Sequence, residues 1–209
     1  MRRSAPELSV LRKRRPRLAW ALSTATIGVL LAAQPAGAHV GQDGGGAVDG
    51  LTHPLFGPDH LVAMLAVGAL AAIATDRRIA WLTPIGFVTG MLVGALLGFA
   101  SVGLPAVELV IGTSVVVLGG LLIVLTNRNP GLWLPALAVA FGVAHGHAHG
   151  SELPSATTPL VFVAGFVATT LVLHLAGTAV GLGLRRTPSI RVTAGATASA
   201  LGVALLLVA

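Results

Sequence analysis

Residues 79–100 read IAWLTPIGFVTGMLVGALLGFA and contain no charged side chain. A helix needs about 20 predominantly apolar residues to cross the hydrocarbon layer of a bilayer, so this segment predicts a membrane span. Gly86, Gly90, Gly94 and Gly98 recur at every fourth position within it. Small residues at that spacing form a helix face against which a neighbouring helix can pack closely. The segment therefore predicts an all-α protein built as a transmembrane helical bundle.

Further apolar windows of similar length follow, and short polar turns separate them. The chain is 55% hydrophobic and 10% charged, whereas soluble domains carry about 25% charged residues. So much apolar surface does not fit inside one small core, and a lipid bilayer is the solvent that suits it. We predict a polytopic bundle of about six spans, which lie at 55–75, 79–100, 104–126, 131–149, 158–184 and 191–209.

The N-terminus has the three parts of a cleavable signal peptide. Residues 1–17 are strongly basic, residues 18–33 are apolar, and the sequence AGA at 36–38 supplies the small residues that signal peptidase requires. We expect residues 1–38 to be removed. This leaves a glycine-rich exported tail at 39–54 and a six-helix transmembrane domain at 55–209. The alternative is an uncleaved first span, although the apolar stretch is short for one.

Basic residues after the signal peptide are distributed unevenly among the loops. Five arginines lie in the segments between alternate spans, at 76–78, 127–130 and 185–190. The remaining external segments contain no Lys or Arg, and these are 39–54, 101–103 and 150–157. Cytoplasmic loops carry the positive charge in membrane proteins, so both mature termini are predicted outside the cytoplasm of a bacterial inner membrane. Six basic residues balance six acidic ones from residue 39 onward, and this balance argues against nucleic-acid binding.

A first polar cluster opens the first span. Ionisable side chains within spans are costly and by default indicate function. The sequence HPLFGPDHLVAM at residues 53–64 places two His and one Asp at the predicted external end. His60 and Met64 are four positions apart and share a helix face. We interpret His53, Asp59 and His60 as metal ligands, and the alternative is a polar helix cap at the membrane surface.

A second polar cluster, FGVAHGHAHGSE at residues 141–152, ends the fourth span on the same predicted external side. His145 and His149 are four residues apart, and Glu152 extends their face by a further three. This spacing suits two imidazoles on one metal ion. His147 points about 200° away from His145 on a regular helix and is not expected to share the site. The alternative is a polar histidine-rich loop at the membrane surface.

Two isolated residues complete the candidate set. Glu108 lies near the external start of the third predicted span, and His174 lies in the middle of the fifth. The chain has no cysteine, so any metal must be held by nitrogen and oxygen ligands. Imidazole and carboxylate suit Ni²⁺, Co²⁺ and Zn²⁺, and the pattern does not choose among them. We interpret the whole as a cation entry site that opens outward, with His174 deeper on the path.

The two clusters resemble the signature motifs of the HupE/UreJ family of nickel/cobalt permeases. The resemblance covers nearly the whole chain after the signal peptide, including the spans, an acidic residue like Glu108 and a histidine like His174. It implies secondary uptake of Ni²⁺ or Co²⁺ across the inner membrane, with the ion as transported substrate and no resident cofactor. The metal-pathway positions implied for this chain are His53, Asp59, His60, Glu108, His145, His149 and His174.

Other functions remain open on the residues alone. A membrane-embedded zinc-dependent hydrolase would use the histidines for Zn²⁺ and Asp59 or Glu108 as general base, although no helix carries an HExxH motif. A metal sensor would bind the ion without transporting it. No phosphate-binding GxxxxGK[ST] loop occurs in the chain, so nothing indicates ATP use. The glycine-rich faces also permit a homo-oligomer.

Overall fold

A computed structural model describes residues 47–125, 128–153 and 158–208, and within these ranges all regular structure is helical. The predicted signal peptide at 1–38 and the first part of the predicted tail, 39–46, lie outside the described residues. The described helices are α1 (Ala47–Phe56), α2 (Pro58–Ile73), α3 (Arg77–Phe99), α4 (Val107–Val124), α5 (Trp133–Ser151), α6 (Pro159–Leu184) and α7 (Pro188–Val208).

Helices α2 to α7 correspond to the six predicted helices, and each of their ends lies within a few residues of the prediction. Four of them, α3, α4, α6 and α7, are long and apolar enough to cross a membrane. A fifth span results if the bent pair α1 and α2 counts as one. The protein is therefore a multi-pass helical membrane protein. Helix α5 has span length but carries three histidines, which lower its hydropathy.

Helix α1 was not expected, because the sequence analysis assigned residues 39–54 to a glycine-rich tail and began the first helix at residue 55. The backbone of α1 is bound by another helix, because Thr169 Oγ1 in α6 donates a hydrogen bond of 2.6 Å to the carbonyl of Leu51. The chain is extended at Gly57, and Pro58 then starts α2 at the position where a missing N–H costs little. The two helices consequently meet at 87°.

Helix pairs pack closely through faces lined by glycine, as the glycine at every fourth position in residues 79–100 predicts. Helix α3 packs along α5, where a Cβ atom at Gly94 would overlap the carbonyl oxygen of Val143. The relation is mutual, because a Cβ atom at Gly146 would overlap the carbonyl oxygen of Met91. Helix α2 packs on α6 and α4 on α7 through glycines in the same way. These contacts set the helix positions from which the polar residues project.

The arginine-containing loops, which the sequence analysis assigned to the cytoplasm, meet at one end of the bundle. Asn129 donates a 3.4 Å hydrogen bond to Asp76, and Arg185 donates a 3.2 Å hydrogen bond to the carbonyl of Ala74. These contacts join the α2–α3 loop to the α4–α5 and α6–α7 loops. The first turn of α2 and the C-terminus of α5 lie at the opposite end, where His53 contacts Glu152. The bundle therefore has an arginine-bearing end and a histidine-bearing end.

Candidate metal site

Four histidines from three helices form one cluster at the histidine-bearing end. The ring of His149 in α5 lies between two others, with centroid separations of 4.8 Å to His53 in α1 and 4.7 Å to His60 in α2. The ring of His60 also lies 4.8 Å from that of His145, which precedes His149 by one turn of α5. The two motifs, about 90 residues apart in sequence, are therefore brought together as the sequence analysis expected.

Asp59 orients His60 from the first turn of α2. The Oδ1 atom of Asp59 accepts a hydrogen bond of 2.9 Å from His60 Nδ1 and a second, of 2.8 Å, from the His60 backbone N–H. A proton on Nδ1 leaves Nε2 of a neutral imidazole with a free lone pair. Nε2 is buried without a hydrogen-bond partner among the described residues. Carboxylates behind metal-binding histidines fix the tautomer and the ring in this way.

Helix α5 supplies two more buried imidazoles. His145 Nδ1 donates a hydrogen bond of 2.9 Å to the carbonyl of Phe141, which leaves Nε2 as the free nitrogen. Neither ring nitrogen of His149 has a hydrogen-bond partner in the described part of the chain. Both side chains are fully buried. An unpaired buried polar atom costs about 1–3 kcal/mol, so these nitrogens are poised for a ligand that accepts their lone pairs.

A contact between His53 and Glu152 forms the outer rim of the cluster. His53 Nε2 donates to Glu152 Oε2 at 3.0 Å, and the Glu152 side chain is 50% exposed. This hydrogen bond lowers the pKa of Glu152 below its usual value, against the opposing effect of partial burial. The carboxylate therefore stays negative in mildly acidic conditions.

His147 faces away from the cluster, as its helical position predicts. Its Nε2 atom donates a hydrogen bond of 2.8 Å to the carbonyl of Val102 in the loop between α3 and α4. Helix α5 thus contributes two histidines to the cluster and a third that binds the loop between α3 and α4.

Two of the predicted site residues lie apart from the cluster. Glu108 is exposed in the first turn of α4, and no hydrogen bond or ion pair joins its carboxylate to the other described residues. His174 in α6 is 3% exposed and lies beyond Phe87, whose ring centroid is 5.2 Å from His145 and 5.4 Å from His174.

Sequence reasoning missed the aromatic residues that enclose the histidines. Phe166 in α6 stacks on His149 with ring centroids 5.0 Å apart and planes 14° apart. Phe162 packs against both Phe166 and His53. No sequence signal distinguishes these residues from other apolar residues of the span. In the described ranges no three His, Asp or Glu side chains are already arranged to hold one ion.

Comparisons with known proteins agree with the motif resemblance. The model of a family described as "HupE / UreJ protein" matches residues 27–205. Protein HupE of Rhizobium leguminosarum bv. viciae is 39% identical over 191 residues, which are 88% of this chain and 96% of that protein. No solved structure matches the chain at a significant level. Because the family match and this relative both span most of the sequence, the chain belongs to the HupE/UreJ family.

Proposed function

We propose that this protein is a secondary transporter that carries Ni²⁺, Co²⁺ or both across the bacterial inner membrane. The ion is its substrate, and the protein is neither an enzyme nor the holder of a resident cofactor. In this proposal six spans cross the membrane, the signal peptide is removed and both mature termini are periplasmic. The histidine-bearing end then faces outward and the arginine-bearing end faces the cytoplasm. The family membership and the ligand chemistry of the cluster support this function.

The observation that carries the proposal is the meeting of four histidines, three of which (His60, His145 and His149) have buried ring nitrogens without a hydrogen-bond partner among the described residues. Imidazole nitrogen suits late divalent transition metals. When two nitrogen atoms bind the same ion, each at about 2 Å, they lie about 3 Å from one another in a tetrahedral site. Ring centroids separated by 4.7 and 4.8 Å are compatible with that sharing after a small rotation of the side chains. His60, His145 and His149 are the ligands that we propose, with Asp59 orienting His60.

The arrangement also suggests an order of events on entry. The exposed carboxylates of Glu152 and Glu108 attract a cation from the periplasm without enclosing it. Movement of His53 away from Glu152 would open the rim and leave both groups free to touch the ion. The ion then reaches the free Nε2 atoms of His60 and His145. Phe87 lies between His145 and His174, so passage from His145 toward His174 requires the Phe87 ring to move.

The membrane potential is sufficient to drive inward movement. One elementary charge gains about 2.3 kcal/mol per 100 mV, so a divalent ion gains about 4.6 kcal/mol. Each 1.4 kcal/mol corresponds to a tenfold concentration ratio, and 100 mV therefore supports an accumulation of roughly 2,000-fold. A proton gradient is the other available driving force.

Uptake of radioactive ⁶³Ni²⁺ into cells that express the protein tests the proposal. We expect saturable uptake that His60→Ala abolishes, because that change removes a proposed ligand. His147→Ala is the matched control, since it removes a histidine that faces away from the cluster. Competition by Co²⁺ and Zn²⁺ then ranks the metals. Absence of uptake by protein shown to be inserted in the membrane would refute transport, and binding without uptake would favour a sensor.

A further inference from the structure

Two methionines from different helices converge on one threonine below the histidine cluster. Thr170 Oγ1 in α6 lies 3.4 Å from the Sδ atom of Met64 in α2 and 3.7 Å from the Sδ atom of Met91 in α3. All three side chains are fully buried. The chain has three methionines, and the third is Met1. Both methionines of the membrane domain therefore direct their sulfur atoms to the same place.

The hydroxyl of Thr170 is bonded differently from the fully buried hydroxyls of Thr83 and Ser114. Thr83 donates a 2.7 Å hydrogen bond to the carbonyl of Ile79, and Ser114 donates a 2.6 Å hydrogen bond to the carbonyl of Ile111. Such bonds to the preceding turn are the usual way to satisfy a hydroxyl within a helix. Thr170 instead faces two thioethers, which are weak acceptors. The Thr170 oxygen and both sulfur atoms therefore lie close together in the buried interior.

This group lies between the histidine cluster and His174. Met64 follows His60 by four residues on α2, so it lies one turn deeper on the same face. Thr170 precedes His174 by four residues on α6 and lies one turn above it. His174 is 3% exposed, and neither of its ring nitrogens has a hydrogen-bond partner among the residues described. Donor atoms therefore continue from the cluster toward His174.

We infer that Met64, Met91 and Thr170 form an inner binding station for the transported ion, with His174 as the next nitrogen donor on the path. The inference rests on the proposed transport function. Thioethers are soft ligands that suit late transition metals, whereas Mg²⁺, Ca²⁺ and Mn²⁺ prefer carboxylate, carbonyl and water oxygens. The station would thus reject hard cations that enter the histidine cluster, and its weak donors would let a nickel or cobalt ion leave again.

Selenomethionine provides a direct test. The protein is produced with selenomethionine, purified in detergent and loaded with Ni²⁺, and X-ray absorption at the nickel and selenium edges reports selenium atoms bound to nickel. We expect a selenium neighbour of nickel in the unsubstituted chain and none in the double variant Met64→Leu, Met91→Leu. Exchange of Met for Leu conserves volume and costs less than about 1.5 kcal/mol, so the variant should fold.

A further variant controls for the selenium content. Adding Leu118→Met to the double variant places a selenium in α4, outside the group around Thr170, and should not restore the nickel–selenium signal. Nickel bound only by nitrogen and oxygen in the unsubstituted protein would overturn the inner station and leave the proposed function intact. Protein that binds no nickel and supports no uptake would overturn both.

Uptake in the presence of Mg²⁺ supplies a second readout. The double variant should lose ⁶³Ni²⁺ uptake at least roughly tenfold when millimolar Mg²⁺ is added, which corresponds to about 1.4 kcal/mol of discrimination. The unsubstituted protein should be little affected by the same addition. A purely packing role predicts the same Mg²⁺ response for both proteins, and that result would overturn the inference.

Discussion

Replacement of Asp59 by Asn tests whether this carboxylate orients His60 or binds the ion itself. In the structure Asp59 Oδ1 accepts from both Nδ1 and the backbone N–H of His60. The amide oxygen of Asn can accept the same two hydrogen bonds, so Asp59→Asn keeps the His60 ring and its tautomer in place. Asp59→Ala removes both bonds. The two variants therefore separate the role of the hydrogen bond from the role of the negative charge.

The expected magnitudes follow from the change in hydrogen-bond strength. Hydrogen bonds to charged groups contribute about 1.5–3 kcal/mol and those between neutral groups about 0.5–1.5 kcal/mol. The loss for Asp59→Asn is therefore about 1–1.5 kcal/mol, or about five- to tenfold in the half-saturating nickel concentration. Loss of the orienting partner in Asp59→Ala should cost about 10- to 100-fold. His60→Ala should abolish saturable uptake.

The assay is the initial rate of ⁶³Ni²⁺ uptake over a range of nickel concentrations, with membrane insertion of each variant checked by immunoblot. Asp76→Asn is the matched control, because Asp76 makes the same kind of contact, a 2.7 Å hydrogen bond from the N–H of Arg78, at the opposite end of the bundle. Asn is as good a helix cap as Asp, so this variant should keep normal uptake. Asp59→Asn protein that is as inactive as His60→Ala at saturating nickel would refute an orienting role and make the carboxylate a ligand.

Three further predictions concern the rest of the site and its scaffold. His145→Ala should abolish saturable uptake while His147→Ala retains most of it, and equal losses would show that the helical-face assignment is wrong. Glu152→Gln should lower stability by about 0.2–1 kcal/mol at pH 7, since the pair is half exposed. Because the pKa of Glu152 is lowered in the folded protein, that difference should be full above about pH 5 and disappear as the pH falls through the lowered pKa. Thermal unfolding of both proteins in detergent measures this stability difference. A difference that does not change with pH would contradict the assignment to the hydrogen bond between His53 and the Glu152 carboxylate. Gly146→Leu should abolish the yield of folded protein because any Cβ there meets the backbone of α3, whereas Gly120→Ala should be tolerated because its Cβ meets nothing within 4 Å.

Hydropathy was sufficient to locate the six long helices, since each is an apolar run bounded by polar or glycine- and proline-rich turns. It did not predict α1, because a segment rich in glycine and polar residues has no local reason to be helical. The stability of α1 comes from α6, where Thr169 bonds to its backbone and Phe162 packs against Gly50. Such tertiary contacts are invisible in a local window of sequence.

The candidate site was predictable to the extent that it depends on helical periodicity. The spacing of His145, His147 and His149 assigned two residues to one face and the third to another, and the contacts of the three agree. Periodicity could not show that Asp59 turns back onto His60, because that depends on a side-chain rotamer at the first turn of α2. Whether these side chains bind an ion stays a prediction.

Helix α5 explains why the packing of the bundle and the chemistry of the cluster depend on one another. Its glycine face at 142, 146 and 150 contacts the backbone of α3, while His145 and His149 each precede a glycine by one residue. Neighbouring residues on a helix are about 100° apart, so the histidines project beside the α3 contact toward α1 and α2. The close approach leaves α5 little freedom to rotate, and it therefore sets the direction of both imidazoles. A methyl group on that face would turn or displace the histidines even if the bundle still assembled, so the glycines position the histidine cluster without lying in it.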